Sequence, residues 1–212
     1  MKKFLTYLRK LFTDNKHWLL VAVSCYLVGC VIGVIVFEAK PDLVMGFLQM
    51  LKEKLLPNRP VGFSGAMWIF MHNFWSSAVS MLLGIVFGLA PLIDLVLNGF
   101  AMGCVVAVAL ASTKHSIGFS IAASLAALIP HGIIELPTTL LAAALGLKIG
   151  WSWIKPAAPG GPPQGIKNNF MTGLYALPGI ALLLFIAAFI EVFITPQMMQ
   201  LVSGPQPFHL VP

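Results

Sequence analysis

Apolar residues in this chain come in long uninterrupted runs instead of the one-sided stripe of a soluble helix or the alternation of a half-buried strand. Five runs stand out, at 18–37, 67–93, 95–113, 116–147 and 168–194. A helix needs about 20 apolar residues to cross the hydrocarbon of a bilayer, so each run predicts a membrane-spanning helix. The second carries His72 as its titratable group, and Asp94 beside Pro91 divides it from the third. The fourth is interrupted by Pro130, Gly132 and Pro137. At 1.5 Å per residue it would extend about 48 Å, well beyond a hydrocarbon core of about 30 Å. It must kink, overhang the interface or double back, and a broken fourth helix is expected there. The fold class is all-α, a polytopic helix bundle of about five spans, with residues 1–196 forming one membrane domain and 197–212 a C-terminal tail.

Two shorter stretches have helical periodicity. Phe4, Leu5, Leu8, Leu11 and Phe12 share one face, with Lys2, Lys3, Arg9 and Lys10 elsewhere, the make-up of an interfacial helix on an anionic leaflet. After Pro41, the residues Val44, Phe47, Leu48, Leu51 and Leu55 predict a second amphipathic helix over about 41–56. It would rest on the outer membrane surface or receive a partner protein. Residues 155–166, rich in Pro and Gly, read as a linker without regular structure.

Composition agrees and excludes other classes. With 58% hydrophobic and 9% charged residues, the chain has too little charge to cover a soluble globule, form a coiled coil or remain disordered. A net charge of +6 in so apolar a chain orients it in a bilayer instead of gripping phosphate, so no nucleic-acid partner is expected. Cys25, Cys30 and Cys104 lie within apolar runs as small packing residues. Leu27-Val28-Gly29-Cys30 has the look of a lipoprotein cleavage site, but seven further apolar residues follow Cys30, which favours a retained anchor. With five spans, Lys2, Lys3, Arg9, Lys10, Lys16, Lys148, Lys155 and Lys167 fall on one side and Lys40, Lys52, Lys54, Arg59 and Lys114 on the other. Eight against five places the N-terminus inside and the C-terminus outside a cell (inner) membrane. A re-entrant fourth segment would reverse that count, which favours a crossing one.

Four pairs of glycines have GxxxG spacing: Gly29/Gly33, Gly84/Gly88, Gly99/Gly103 and Gly146/Gly150. Such faces let helix backbones approach closely in lipid. Packing within the chain is expected for most of them, and a homodimer through one is the alternative.

Polar groups inside the runs carry the candidate chemistry. Glu135 sits in Ile129-Pro130-His131-Gly132-Ile133-Ile134-Glu135-Leu136-Pro137, with no Lys or Arg in any span. An ionisable group at the centre of a membrane helix costs about 2.5–3.5 kcal/mol on insertion scales. His131 stands four residues before Glu135, within reach on a helix. His72, Ser76 and Ser80 share a face, with Asn73 and Ser77 beside it. Asn98 opens the third span and Glu191 lies at the outer end of the fifth. The expected intramembrane cluster is His72, Asn73, Asn98, His131, Glu135 and Glu191. Three readings compete: a hydrogen-bonded network that fixes helix register, a divalent-metal or hydrolytic site, and a proton or solute path. In the second, His72, His131, Glu135 and Glu191 would be ligands suited to zinc, although no H-E-x-x-H pattern occurs. The helix break would suit the third.

Pro130-His131-Gly132-Ile133-Ile134-Glu135-Leu136-Pro137, followed by Gly146-Leu147-Lys148-Ile149-Gly150, resembles the central signature of the stage II sporulation protein M family. Asn73, Gly84 and Gly88, Asn98-Gly99 and Ile190-Glu191-Val192-Phe193-Ile194-Thr195-Pro196 fit the same pattern in the same order. The similarity covers roughly residues 15–196. It implies a membrane protein of about five helices that scaffolds cell-wall-degrading partners, a lytic transglycosylase and an amidase/endopeptidase, which favours a scaffold over an enzyme.

Overall fold

A computed structural model describes residues 2–55, 62–111, 117–153 and 164–197, with the side chains of 2–5, 51, 52, 54, 55, 117–131 and 164 excepted. Among the described residues every extended element is helical: α1 (Lys2–Asp14), α2 (Lys16–Ala39), α3 (Pro41–Leu55), α4 (Gly62–Leu83), α5 (Leu89–Ala111), α6 (Ile117–Trp151) and α7 (Gln164–Phe193). Four stretches, Lys16–Ala39, Leu89–Ala111, Gly132–Trp151 and Gly165–Gln197, are long and apolar enough to cross a membrane. Most of the 155–166 linker, the tail beyond residue 197 and the side chains of Pro130 and His131 lie outside the described residues.

Two boundaries differ from the sequence reading. The run 67–93 is not one helix, because α4 ends at Leu83 and a turn over 84–88 intervenes. Hydrophobicity is uninterrupted there, but the backbone is not helical: Phe87 has φ 52° and Gly88 has φ 73°, conformations that stop a right-handed helix. Pro91 then occupies the first turn of α5, where its missing N–H is harmless, and Asp94 lies inside α5 instead of between helices. Second, α6 continues as one helix through Pro130, Gly132 and Pro137, so the expected break does not end it. Prolines are tolerated in apolar bundles where neighbouring groups meet the freed backbone, and Pro178 is accommodated in the same way inside α7.

The long helices run alternately up and down. At one end the turn 84–88 meets the end of α6: Trp153 Nε1 donates to the Ile85 carbonyl at 2.6 Å. Nearby, Trp18 of α2 packs against Trp151 with ring centres 5.9 Å apart. Asn169 of α7 donates to Ser152 Oγ at the same end. At the opposite end Phe63 of α4 meets Phe189 of α7. There Pro41 ends α2, since a residue before proline is disfavoured in the helical region and Lys40 takes φ −147°. The chain turns into α3, whose Val44 is buried and whose Phe47 packs edge-on against Phe100 of α5.

Alpha-six is the hub. Its six consecutive residues Leu140 to Leu145 are each at most 8% exposed, which requires neighbours all round. On one side Leu141, Leu145 and Ile149 pack with Met81 of α4 and Ala176, Ile180 and Leu184 of α7. On the other, Leu140, Ala143 and Ala144 meet Ala22 and Tyr26 of α2 and Leu95 of α5. The described part of the apolar face of α1, Leu8, Leu11 and Phe12, packs against the bundle. Leu11 belongs to the first cluster, Leu8 lies over Gly179, and the Tyr7 hydroxyl donates to the Tyr175 carbonyl.

All four GxxxG pairs are used inside the chain. A Cβ on Gly29 would meet the Val96 carbonyl oxygen, and one on Gly33 that of Phe100. Reciprocally, Gly99 faces the Tyr26 carbonyl and Gly103 that of Cys30. Gly84 lies against Gly146, and Gly150 against Gly88. These are backbone contacts, which no rotamer change can relieve. We predict that Gly99→Val lowers stability in detergent by about 1–3 kcal/mol or more through overpacking. Gly46→Ala, whose added methyl meets nothing within 4 Å, should leave it unchanged or raise it by up to about 1 kcal/mol. Thermal unfolding of both variants checks the pair.

Asn15, which is buried, joins α1 to α2 and ties both to α6. Its Nδ2 donates to the Leu11 carbonyl at 2.8 Å, and its Oδ1 accepts from Lys148 Nζ at 2.8 Å. Asn15→Ala removes both bonds and leaves a half-buried ammonium short of an acceptor. The expected cost is about 1–3 kcal/mol, and a double-mutant cycle with Lys148→Met should recover a coupling of at least about 0.5 kcal/mol.

Candidate functional site: a polar cavity between α4, α5 and α6

Joined by a tight turn, α4 and α5 touch each other little along their length. The space between them, backed by α6, is a cavity of about 670 Å³, within the range of ligand pockets. His72, Asn73, Ser76 and Ser77 of α4 line one wall; Asp94, Leu95, Asn98, Ala101, Met102 and Val105 of α5 line another. Gly132, Ile133, Glu135, Leu136, Thr139 and Leu140 of α6 form the back, with Tyr26 of α2 and Leu48 of α3 completing the lining. Helical spacing explains the polar wall of α4: residues 72, 73, 76, 77 and 80 recur at i, i+4 and i+8 on one stripe.

The glycine contacts between 84–88 and α6 set a common level at one end of the bundle. Measured by helix rise from that level, Asp94 lies about 9 Å in and Glu135 about 22 Å in. The cavity thus occupies the middle of the bundle and reaches toward α3. His72 and Asn98 are exposed, so its mouth opens at the surface, where the His72 ring stacks on Trp68 with planes 8° apart. Asn98 Nδ2 donates to the Asp94 carboxylate at 2.8 Å and to the Asp94 carbonyl at 2.9 Å, holding the acid in position while leaving it other lone pairs. On α6, Pro137 has no N–H to donate to the Ile133 carbonyl, so an acceptor loses its helical donor where Ile133 meets the cavity.

Of the six residues expected to cluster, His72, Asn73, Asn98 and Glu135 share this cavity. The helix through 131 and 135 sets those positions one turn apart on one face, while the His131 side chain lies outside the described residues. Glu191 sits near the C-terminal end of α7, away from the lining. Among the described residues no three His, Cys, Asp or Glu side chains gather as a metal site would require; the expected zinc set of His72, His131, Glu135 and Glu191 includes a side chain, His131, outside them. Sequence reasoning missed Asp94, Tyr26 and Thr139. Asp94-x-x-x-Asn98 is a signal that would have found Asp94, had the helix start been placed at Leu89 instead of after the acid.

The lining therefore offers two carboxylates, an imidazole, two amides and several hydroxyls, set among Leu95, Met102, Leu136 and Leu140. Such a set can hydrogen-bond a small polar molecule, hold a proton or bind a cation. Among the described residues the lining has no Lys or Arg, which disfavours an anion.

Comparison with known proteins places these features in a family. An uncharacterized protein of Methanocaldococcus jannaschii is 32% identical over 121 residues, covering 53% of this chain and 61% of that relative, so the chain spans under two thirds of the relative's length. No solved structure matches. The family described as Stage II sporulation protein M matches residues 21–196, from the second turn of α2 to just past the end of α7 and so across the cavity, with α1 outside the match. The chain is a member of the Stage II sporulation protein M family.

Proposed function

We propose that this protein is a multi-pass inner-membrane subunit, N-terminus inside and C-terminus outside, that anchors a membrane-associated complex such as peptidoglycan-remodelling enzymes. The observation that supports an anchoring role is α3. One face of this helix is fixed to the bundle through Val44 and Phe47, while Leu43, Met45 and Met50 stand exposed. A helix held rigidly at the outer end is a preorganised surface for a partner, because little ordering entropy remains to be lost on docking. The proposed orientation rests on the lysines Lys16, Lys148 and Lys167, which gather at the α1 end of the bundle.

Replacing Leu43, Met45 and Met50 together by Ser should leave the melting temperature of the bundle unchanged. Recovery of cell-wall-associated proteins with the tagged protein should fall by about tenfold or more; unchanged recovery would sink the docking role. For topology, Gln49→Cys should react with a membrane-impermeant thiol reagent in intact cells, and Gln164→Cys only after permeabilisation. The reverse pattern inverts the orientation.

A second reading is favoured by the cavity itself. A pocket of this size and polarity within an apolar bundle supports binding of a small solute or passage of a proton, and Asp94 and Glu135 are the groups that would bind it. The two readings are compatible, because α3 contributes Leu48 to the cavity and a partner on α3 would act on its outer end.

A further inference from the structure

We propose that the cavity binds an organic cation with a primary ammonium group on an aliphatic stem, with the ammonium at Asp94; this rests on the solute-binding reading above. Four features of the lining select that class. Asp94 supplies a carboxylate that Asn98 holds in position. Ser76, Ser77 and, further along, Asn73 add hydroxyl and amide oxygens on the facing helix, acceptors of the kind a three-donor ammonium needs. Leu95, Met102, Leu136 and Leu140 offer an apolar wall for a methylene chain. Tyr26 places an aromatic residue on the lining, a side-chain type that attracts cations.

The alternatives fit less well. A bare divalent ion wants several hard ligands at close range, and no three acidic, histidine or cysteine side chains gather among the described residues. A cavity of about 670 Å³ is also far larger than an ion. A phosphate or carboxylate ligand would face Asp94 and Glu135 with no Lys or Arg on the lining to offset them. Glu135, about 13 Å further along the bundle than Asp94 by helix rise, stands where a second ammonium of a linear diamine or polyamine would reach. The Ile133 carbonyl beside it loses its helical donor to Pro137 and adds an acceptor at that end.

The same chemistry is carried by free polyamines and by the headgroup of phosphatidylethanolamine, and the experiment separates them. Purified protein in nanodiscs of phosphatidylcholine is titrated with spermidine, 1,8-diaminooctane and hexylamine, and melting temperature and calorimetric binding are read. A parallel sample is reconstituted with phosphatidylethanolamine. Saturable stabilisation by the soluble amines, strongest for the long diamines, supports a free polyamine ligand. Stabilisation by the lipid with no response to soluble amines supports a headgroup. In either case Asp94→Asn should weaken binding about tenfold or more, as loss of a charge-assisted hydrogen bond predicts, and Asn73→Ala should weaken it less. Glu191→Gln, away from the lining, should bind as the parent does. No response to any amine or lipid overturns the assignment, as does an unaltered response in folded Asp94→Asn and Asn73→Ala. Labelling of Ala101→Cys by a neutral water-soluble maleimide, above the background of the native cysteines, then shows whether the cavity is open. Labelling keeps the solute-binding reading alive without its cation, and no labelling removes both.

Discussion

Lipid tails solvate leucine as well as another helix does, so hydrophobicity alone cannot choose which helices of this chain meet. The choice is made where backbones touch. Gly29 and Gly33 receive carbonyls of α5, Gly99 and Gly103 receive carbonyls of α2, and the turn 84–88 is seated against Gly146 and Gly150. Dispersion and backbone dipoles act at their shortest range there. Because the contact surfaces are backbone, their register along each helix is fixed, and the other packing must adopt the same register. The α6 hub, the aromatic cluster at the Trp151 end and the level of the cavity floor all follow from it.

The polar cavity is the space that this packing leaves. The α4–α5 turn is pinned to α6, yet the two helices diverge above it, and side chains that would be costly against lipid line the gap. Burying polar groups in hydrocarbon is tolerated only where partners or a cavity receive them. Here Asn98 serves Asp94 directly, and the remaining oxygens line a volume large enough for a ligand. Proximity of α3 to the same cavity, through Leu48, offers a physical route by which an event on α3 would alter what the cavity holds.

Much of the fold was legible because it depends on composition and period. Apolar runs located the long helices, and the spacing of Val44, Phe47 and Leu48 located α3 to within a residue of its observed end. The glycine pairs named themselves by spacing, but their partners did not, since spacing on one helix says nothing of the other. The break at 84–88 escaped because Ile85, Val86 and Phe87 are as apolar as their surroundings, and only the positive φ of Phe87 and Gly88 marks the turn. That error propagated: with the helix start misplaced, Asp94 read as punctuation and not as part of the site. Glu191 was grouped with the cluster by chemistry alone, whereas position along α7 separates it. The burial of the α1 face also went unread, because an amphipathic helix presents the same pattern to a bilayer surface and to a neighbouring helix.

Tyr7 and Tyr175 are separated by 168 residues, yet a hydrogen bond joins them, and Leu8 rests on Gly179. Synthesis delivers α1 before α7. The part of its seat that α7 supplies is therefore missing until that helix has entered the membrane, whereas the part supplied by Lys148 of α6 is made earlier. Complete docking of α1 thus requires α7 to be in place. A bulky fusion ahead of Tyr7 would act on that docking and not on the insertion of any span.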